Sequence, residues 1–193
     1  MSVRDENSVQ LVRALTGREA QLILDPTLIY DFTNELKLYQ AKQPGSLVVY
    51  STKVKPFEQE AIQHYAKAFS LKVVALGYPH GWADLDLSQI HPLQTLAEFQ
   101  SARAIFTNTF HGTALAIKFN RPFLLGDLTG KHNKISSLLK TMKLSPIKPV
   151  TSYEWFAGFS EKPNVAMQQR LNCEKENTLS FLKNSLTGLR SVI

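Results

Sequence analysis

A strand, a polar turn, a helix and a second strand follow one another closely in the middle of the chain, and this run constrains the fold most. The apolar segment Ala104–Thr107 has the length and composition of a buried strand. A polar turn containing His111 follows, then a helix predicted over Thr113–Phe119 and a strand over Phe123–Leu125. Open α/β sheets bind ligands between the carboxyl end of a strand and the next helix, where exposed helix amides favour an anion. His111 is therefore a candidate for chemistry.

Strand-like and helical segments alternate regularly from Ser46 onward, after a clear break at Pro44-Gly45. Alternation of this kind produces βαβ units. We therefore predict an α/β fold with a Rossmann-like, mostly parallel sheet. Residues 1–44 are interpreted as the remnant of a preceding domain and a linker, and residues 45–193 as the Rossmann-like domain with C-terminal helices. The other predicted strands are Leu22–Leu24, Leu47–Tyr50 and Lys72–Leu76, and the other helices are Ser8–Leu15, part of Asp31–Gln43, Phe57–Ser70, Pro92–Ala102, one capped by Asn133, Ser152–Phe156 and Val165–Leu186.

The charge balance is basic, with 22 Lys and Arg against 16 Asp and Glu, a net charge of +6 and a pI near 9.4. Such a balance suits nucleic acid, an anionic membrane surface or a negatively charged small substrate. The basic residues are spread along the chain, without the run that marks a nucleic-acid-binding arm. We therefore expect no nucleic acid partner.

Cysteine usage and hydropathy favour a cytoplasmic protein. The single Cys173 can form no internal disulfide, and no second thiol indicates a metal site. The polar start of the chain does not resemble a signal peptide. Apolar runs such as Val73–Leu76 are too short to cross a bilayer, so any membrane association is expected to be peripheral, at the inner face.

Three short motifs resemble the polysaccharide pyruvyl transferases. They are Ser2-Val-Arg-Asp5, Leu24-Asp-Pro-Thr-Leu28 and Phe110-His-Gly112, and the similarity extends over most of the chain up to Leu144. Members of this family are similar to two-domain, glycosyltransferase-B-like enzymes. The resemblance aligns this chain with the later half of a typical member, which implies that it forms the second domain of that fold. The first half would then be supplied by another chain or be absent.

The resemblance implies an activity with clear physical demands. Family members transfer the pyruvyl unit of phosphoenolpyruvate onto two hydroxyls of a sugar in an exopolysaccharide or cell-surface glycan precursor, and they need no cofactor beyond that donor. The donor carries a phosphate and a carboxylate, so its site needs cations. Protonation of the enol carbon and attack by a hydroxyl need an acid/base group that works near neutrality, for which histidine is suited.

Carried over residue by residue, the resemblance makes His111 the acid/base or phosphate-contacting residue. Arg4 and Lys131 are expected to bind the anionic groups of the donor. Many members have Arg at the position of Thr109, as Arg-x-His-Gly, so this chain departs from the pattern by one cation. The predicted substrate-binding residues are Arg4, Asn108, Thr109, Gly112 and Lys131.

Plainer interpretations compete with each of these assignments. His111 alone is typical of a hydrogen-bonded turn histidine, Gly112 of a tight turn and Lys131 of an ordinary surface lysine. The alternative function is a truncated, non-catalytic remnant that binds a glycan or a partner chain, and a glycosyltransferase fragment of the same fold is a third. The spacing of His80, His91 and His132 indicates no metal site. Trp82 and Trp155 could stack on a sugar ring, but packing in the core or at the surface is the plainer interpretation.

Overall fold

The computed structural model describes residues 1–128, 132–144 and 164–190, which form seven strands and eight helices. Apolar segments alternate with amphipathic ones through most of this range, which is why strands and helices alternate in it. The strands are β1 Ser2–Val3, β2 Gln21–Leu22, β3 Leu47–Tyr50, β4 Val73–Leu76, β5 Leu85–Leu87, β6 Ala104–Thr107 and β7 Phe123–Leu125, and the helices are α1 Glu6–Thr16, α2 Pro26–Ile29, α3 Thr33–Leu36, α4 Pro56–Ala68, α5 Pro92–Ser101, α6 Phe110–Lys118, α7 His132–Thr141 and α8 Val165–Arg190.

Five of these strands form one parallel sheet in the order β5-β4-β3-β6-β7. Every neighbouring pair is parallel, and β3 pairs with β6 so that Leu47 lies opposite Ala104 and Tyr50 opposite Thr107. The chain runs outward from β3 to β5 on one side and from β6 to β7 on the other. The strand order therefore reverses between β3 and β6. The predicted α/β fold with a Rossmann-like parallel sheet is confirmed.

Both faces of the sheet are buried, because alternate residues of each strand enter different hydrophobic clusters. On one face, Leu47, Val49 and Phe106 pack against Ile62 and Tyr65 of α4. The opposite face packs against helices α5 and α6, and its buried side chains include Val48, Val74, Ile105, Phe99 and Leu115. Strands buried on two sides need apolar residues at nearly every position, which is what β3, β4 and β6 have.

The first 36 residues pack against helices α5, α6 and α7. Strands β1 and β2 form a separate two-stranded parallel sheet. Helix α2 packs on α6, α3 on α5, and α1 on α7. Leu24 and Leu28 are buried with Leu171 of α8 in a third cluster. The domain boundary proposed at residue 44 stays a prediction.

Several element predictions differ from the structure. The helix after β6 begins at Phe110, so His111 lies in its first turn and the predicted turn before it is shorter than expected. Strand β5 was not predicted at all. Helix formation within Asp31–Gln43 is limited to α3, and the strand expected over Leu22–Leu24 is β2. The helix predicted over Ser152–Phe156 lies outside the described residues.

The junction of β6 and α6 depends on a close approach between Gly112 and Thr107. The Thr107 hydroxyl donates to the carbonyl oxygen of Tyr50 at 2.6 Å. The same hydroxyl oxygen accepts a hydrogen bond from the amide of Thr109 at 3.1 Å. A Cβ atom on Gly112 would lie 2.1 Å from that hydroxyl oxygen and 2.8 Å from the Thr107 Cβ. Gly112 lies within helix α6 and not in the tight turn expected from sequence. A glycine is required at this position because a larger side chain would collide with Thr107.

We predict that Gly112→Ala lowers the free energy of unfolding by about 2 kcal/mol, because the added methyl group overpacks a buried junction. Denaturant unfolding followed by circular dichroism measures the change. Gly81→Ala is the matched control, since a Cβ there has no neighbour within 4 Å. Equal effects of the two substitutions would contradict the packing explanation.

Candidate active site

The candidate site lies at the carboxyl edge of the sheet, where β3 and β6 end side by side. In open parallel sheets the crevice at such a reversal of strand order is the usual ligand site. Here Ser51 and Thr52 follow β3, and Asn108 and Thr109 follow β6. The loops that carry the polar candidates therefore meet at one place.

His111 is exposed in the first turn of α6. The Thr109 side chain caps this helix by accepting a hydrogen bond from the Gly112 amide at 3.0 Å. The amides of Phe110 and His111 belong to the same turn, where helix geometry provides no acceptor. No other acceptor contacts these two amides within the described ranges. The turn thus presents an exposed imidazole beside two outward main-chain donors, which is an arrangement suited to an anion.

Thr109 has a structural role at the start of α6. A threonine at an N-cap satisfies a main-chain donor of the helix, which an arginine side chain cannot do. Its hydroxyl also lies 3.1 Å from the Thr107 hydroxyl. Position 109 therefore contributes helix capping rather than positive charge.

Asn108 is buried and holds the loop after β3 against the start of α6. Its Oδ1 accepts from the Thr52 amide at 3.1 Å, and its Nδ2 donates to the Lys53 carbonyl at 2.9 Å. Ser51 Oγ donates to the same Lys53 carbonyl at 2.9 Å. Asn108 thereby fixes the main chain that carries the exposed Lys53 at this edge of the sheet. We infer a positioning role for Asn108, whose amide is largely used by the backbone.

An ion pair joins the loop after β7 to the residue that precedes α4. Lys55 Nζ contacts Asp127 Oδ2 at 2.8 Å, and this hydrogen bond raises the pKa of the Lys55 ammonium group. The buried Glu58 accepts from the amides of Lys55 and Asp127, both at 2.8 Å. The loop after β7 is thus joined to the start of α4. These residues were not identified from the sequence as part of the site. Asp127 closely follows the predicted strand Phe123–Leu125, which could have indicated that it lies at the carboxyl edge of the sheet.

His80 also reaches the candidate site, which its spacing in the sequence did not suggest. It lies in the loop between β4 and β5, and its Nε2 is 2.8 Å from the Ser51 carbonyl oxygen. Its ring packs at an angle against Trp82, with centroids 5.6 Å apart. His80 thus adds a second imidazole to this edge of the sheet. The sequence could have indicated this, because its loop directly follows a predicted strand of the parallel sheet.

Arg4 pairs with Asp25, and this ion pair joins the first two family-like motifs. The Asp25 side chain is 3% exposed and that of Arg4 is 48% exposed. Asp25 also caps α2 by accepting from the Thr27 amide at 2.9 Å. Asp5 caps α1 in a similar way, accepting from the Ser8 amide at 2.9 Å. The motif residues therefore build the N-terminal segment.

A small cavity of about 40 Å³ connects Arg4 with the start of α6. Its wall includes Arg4, Asp25, Phe110 and Glu174. Phe110 lines this cavity and its ring also contacts the His111 ring edge-on, with the two centroids 5.4 Å apart. The structure thus brings Arg4 to the same region as the α6 N-terminus, with its guanidinium directed at Asp25. Lys131 lies outside the described residues.

The free energy of unfolding should depend on pH through the ionisation of Asp25, which pairs with Arg4. Burial favours the neutral acid, but hydrogen bonds from Thr27 and Arg4 outweigh it and lower the pKa of Asp25 below the ordinary 3.8. A lowered pKa gives stability that is complete above pH 3.8 and is lost as the pH falls through the folded-state value.

We predict that Asp25→Asn lowers the free energy of unfolding by about 2 kcal/mol at pH 7, because a charged hydrogen bond is lost. This difference from the wild type should shrink as the pH falls below 3.8. Denaturant unfolding at pH 7 and pH 3 measures it, with the exposed Glu60→Gln as control. A difference that is constant with pH would contradict an ionised Asp25.

Two further observations limit the kinds of site present in the described part of the chain. No three His, Cys, Asp or Glu side chains come together there as a metal-binding group. Nor does that part contain a helix whose length and hydropathy would let it cross a membrane.

Comparison with known proteins gives one match. A family model described as polysaccharide pyruvyl transferase matches residues 1–125. No curated protein and no solved structure matches the chain. The matched range extends from β1 through β7 and contains Arg4, Asn108, Thr109, His111 and Gly112, whereas Lys131 lies beyond it. Because the match covers well over half of the 193 residues, the chain belongs to the polysaccharide pyruvyl transferase family.

Proposed function

We propose that this protein transfers a pyruvyl group from phosphoenolpyruvate to a sugar of an exopolysaccharide or cell-surface glycan precursor. The observation that carries the proposal is the exposed His111 in the capped first turn of α6, at the edge where β3 and β6 end side by side and the strand order reverses. Family membership supports a transferase. The donor and the acceptor class are parts of the proposal.

The His111 ring supplies the proton transfers of this reaction. Its protonated form gives a proton to the methylene carbon of the donor, and positive charge develops on the carbon that bears the phosphate. A sugar hydroxyl forms a bond to that carbon, and its proton returns to the neutral imidazole. The C–O bond to the phosphate then breaks, and the second hydroxyl bonds to the same carbon while its proton passes to the departing phosphate, which closes the ketal. Histidine suits both steps because it ordinarily exchanges a proton near neutral pH.

The anionic groups of the donor are held by main-chain and side-chain donors together. The amides of Phe110 and His111 face the leaving phosphate, where the positive end of the helix dipole stabilises the developing charge. Lys53, on the loop fixed by Asn108, supplies a cation from the opposite side of the crevice. Arg4 and Lys131 complete the proposed set of donor-binding residues. Thr109 supplies no charge, so the helix amides carry more of the binding here than in Arg-x-His-Gly members.

We predict that His111→Ala lowers kcat by about 10²- to 10⁴-fold with a smaller effect on KM, because general acid–base catalysis is lost. The assay measures phosphate release from phosphoenolpyruvate with sugar acceptors that carry two neighbouring free hydroxyls. His64→Ala, at an exposed position on α4, is the matched control and should retain full activity. An active His111→Ala variant would overturn the catalytic assignment.

A non-catalytic glycan- or partner-binding protein is the second candidate function. The observation that favours it is the use of Thr109 as a helix cap, which removes a cation from the donor site. Calorimetry distinguishes the two candidates. Saturable binding of phosphoenolpyruvate that His111→Ala weakens supports the transferase, whereas glycan binding without donor binding supports the second candidate.

A further inference from the structure

A second cavity lies at the opposite edge of the sheet from the candidate active site. Its volume is about 420 Å³, which is within the range of small-molecule sites. Helix α6 begins at the carboxyl edge of the sheet, so its last residue, Lys118, lies at the amino edge. We call this cavity the basal pocket, and it is lined by Asp31, Phe32, Thr33, Leu36, Gln100, Lys118, Phe119 and Lys175.

Two lysines from different helices face one carboxylate in the basal pocket. Lys118 ends α6 and Lys175 belongs to α8, and both are partly buried. The carboxylate of Asp31 is already engaged, accepting from the Thr33 amide at 3.0 Å and from its hydroxyl at 2.5 Å. With two lysines and one carboxylate in its lining, the pocket has an excess of positive charge.

The surroundings of Lys118 orient its ammonium group. It donates to the carbonyl of Tyr30 and lies 3.5 Å from that of Leu28, so a third N–H remains for another partner. The ammonium nitrogen is also 5.0 Å from the centroid of the Phe32 ring. Such contacts leave the side chain with little freedom, so it is preorganised for a ligand.

Burial, and then repulsion from Lys175, lower the pKa of Lys118 to about 8, against a weaker opposing effect of Asp31. Holding this ammonium group charged is thus less favourable here than in water. An anion placed between the two lysines would relieve the repulsion, and it would stabilise the charged form of Lys118.

We propose that the basal pocket binds a small organic anion whose carboxylate or phosphate pairs with Lys118 and Lys175, while its apolar part lies against Phe32 and Phe119. Gln100 and Thr33 supply neutral polar groups around the head group. This site is separate from the candidate active site, and the proposal does not depend on the proposed function.

Titration calorimetry on the full chain tests the proposal with inorganic phosphate, benzoate and phenyl phosphate as probes. We expect at least one of the two aromatic anions, benzoate and phenyl phosphate, to bind saturably and more tightly than inorganic phosphate. Whichever of these two binds more tightly shows whether the pocket prefers a carboxylate or a phosphate. Lys118→Gln and Lys175→Gln should each weaken that binding about tenfold, because a charged hydrogen bond is lost. Lys67→Gln, an exposed position on α4, removes the same charge and should change nothing.

Benzoate keeps its charge between pH 7 and pH 9, so its affinity reports the protonation of Lys118. Binding should be about tenfold weaker at pH 9, because Lys118 must first take up a proton. Lys118→Arg should retain binding and lose this pH dependence, and His111→Ala should bind like the wild type. The proposal is overturned if no probe binds saturably, if both glutamine variants bind like the wild type, or if Lys118→Arg keeps the pH dependence.

Discussion

The hydroxyl of Thr107 joins the two halves of the sheet where their strand order reverses. It bonds the carbonyl of Tyr50 across the β3–β6 pair, accepts from the amide of Thr109 and lies under Gly112. These contacts set the distance between the end of β6 and the first turn of α6. Because His111 is in that turn, the position of its ring depends on the packing of a buried hydroxyl against a glycine.

The central strands were predictable because they are buried on both faces, so apolar residues continue without interruption. The central strands β3 and β6 agree with the segments predicted from sequence, β4 begins one residue later than predicted, and the edge strand β7 also agrees. Strand β5 lies at the sheet edge and alternates Leu85 and Leu87 with Asp86, a pattern too short to stand out. The start of α6 was placed too late because glycine and polar residues favour turns locally. A cap from Thr109 and close packing at Gly112 outweigh that preference.

The candidate site was predictable in part, from the position of one histidine relative to a strand and a helix. The use of Asn108 to fix a neighbouring loop was not, because its partners Thr52 and Lys53 lie more than fifty residues away. The pairing of Arg4 with Asp25 likewise depends on the packing of the N-terminal segment. Side chains that meet only through tertiary structure leave no local pattern in the sequence.

The cap at Thr109 has a consequence for how His111 works with an anion. The threonine hydroxyl takes the Gly112 amide, while the His111 peptide N–H lies in the first turn without a helical acceptor and the His111 side chain is exposed. A peptide N–H does not titrate, so its attraction for negative charge is the same whether the ring is protonated or neutral. One residue can thus separate the two tasks, with its backbone holding charge continuously while its side chain gains and loses a proton.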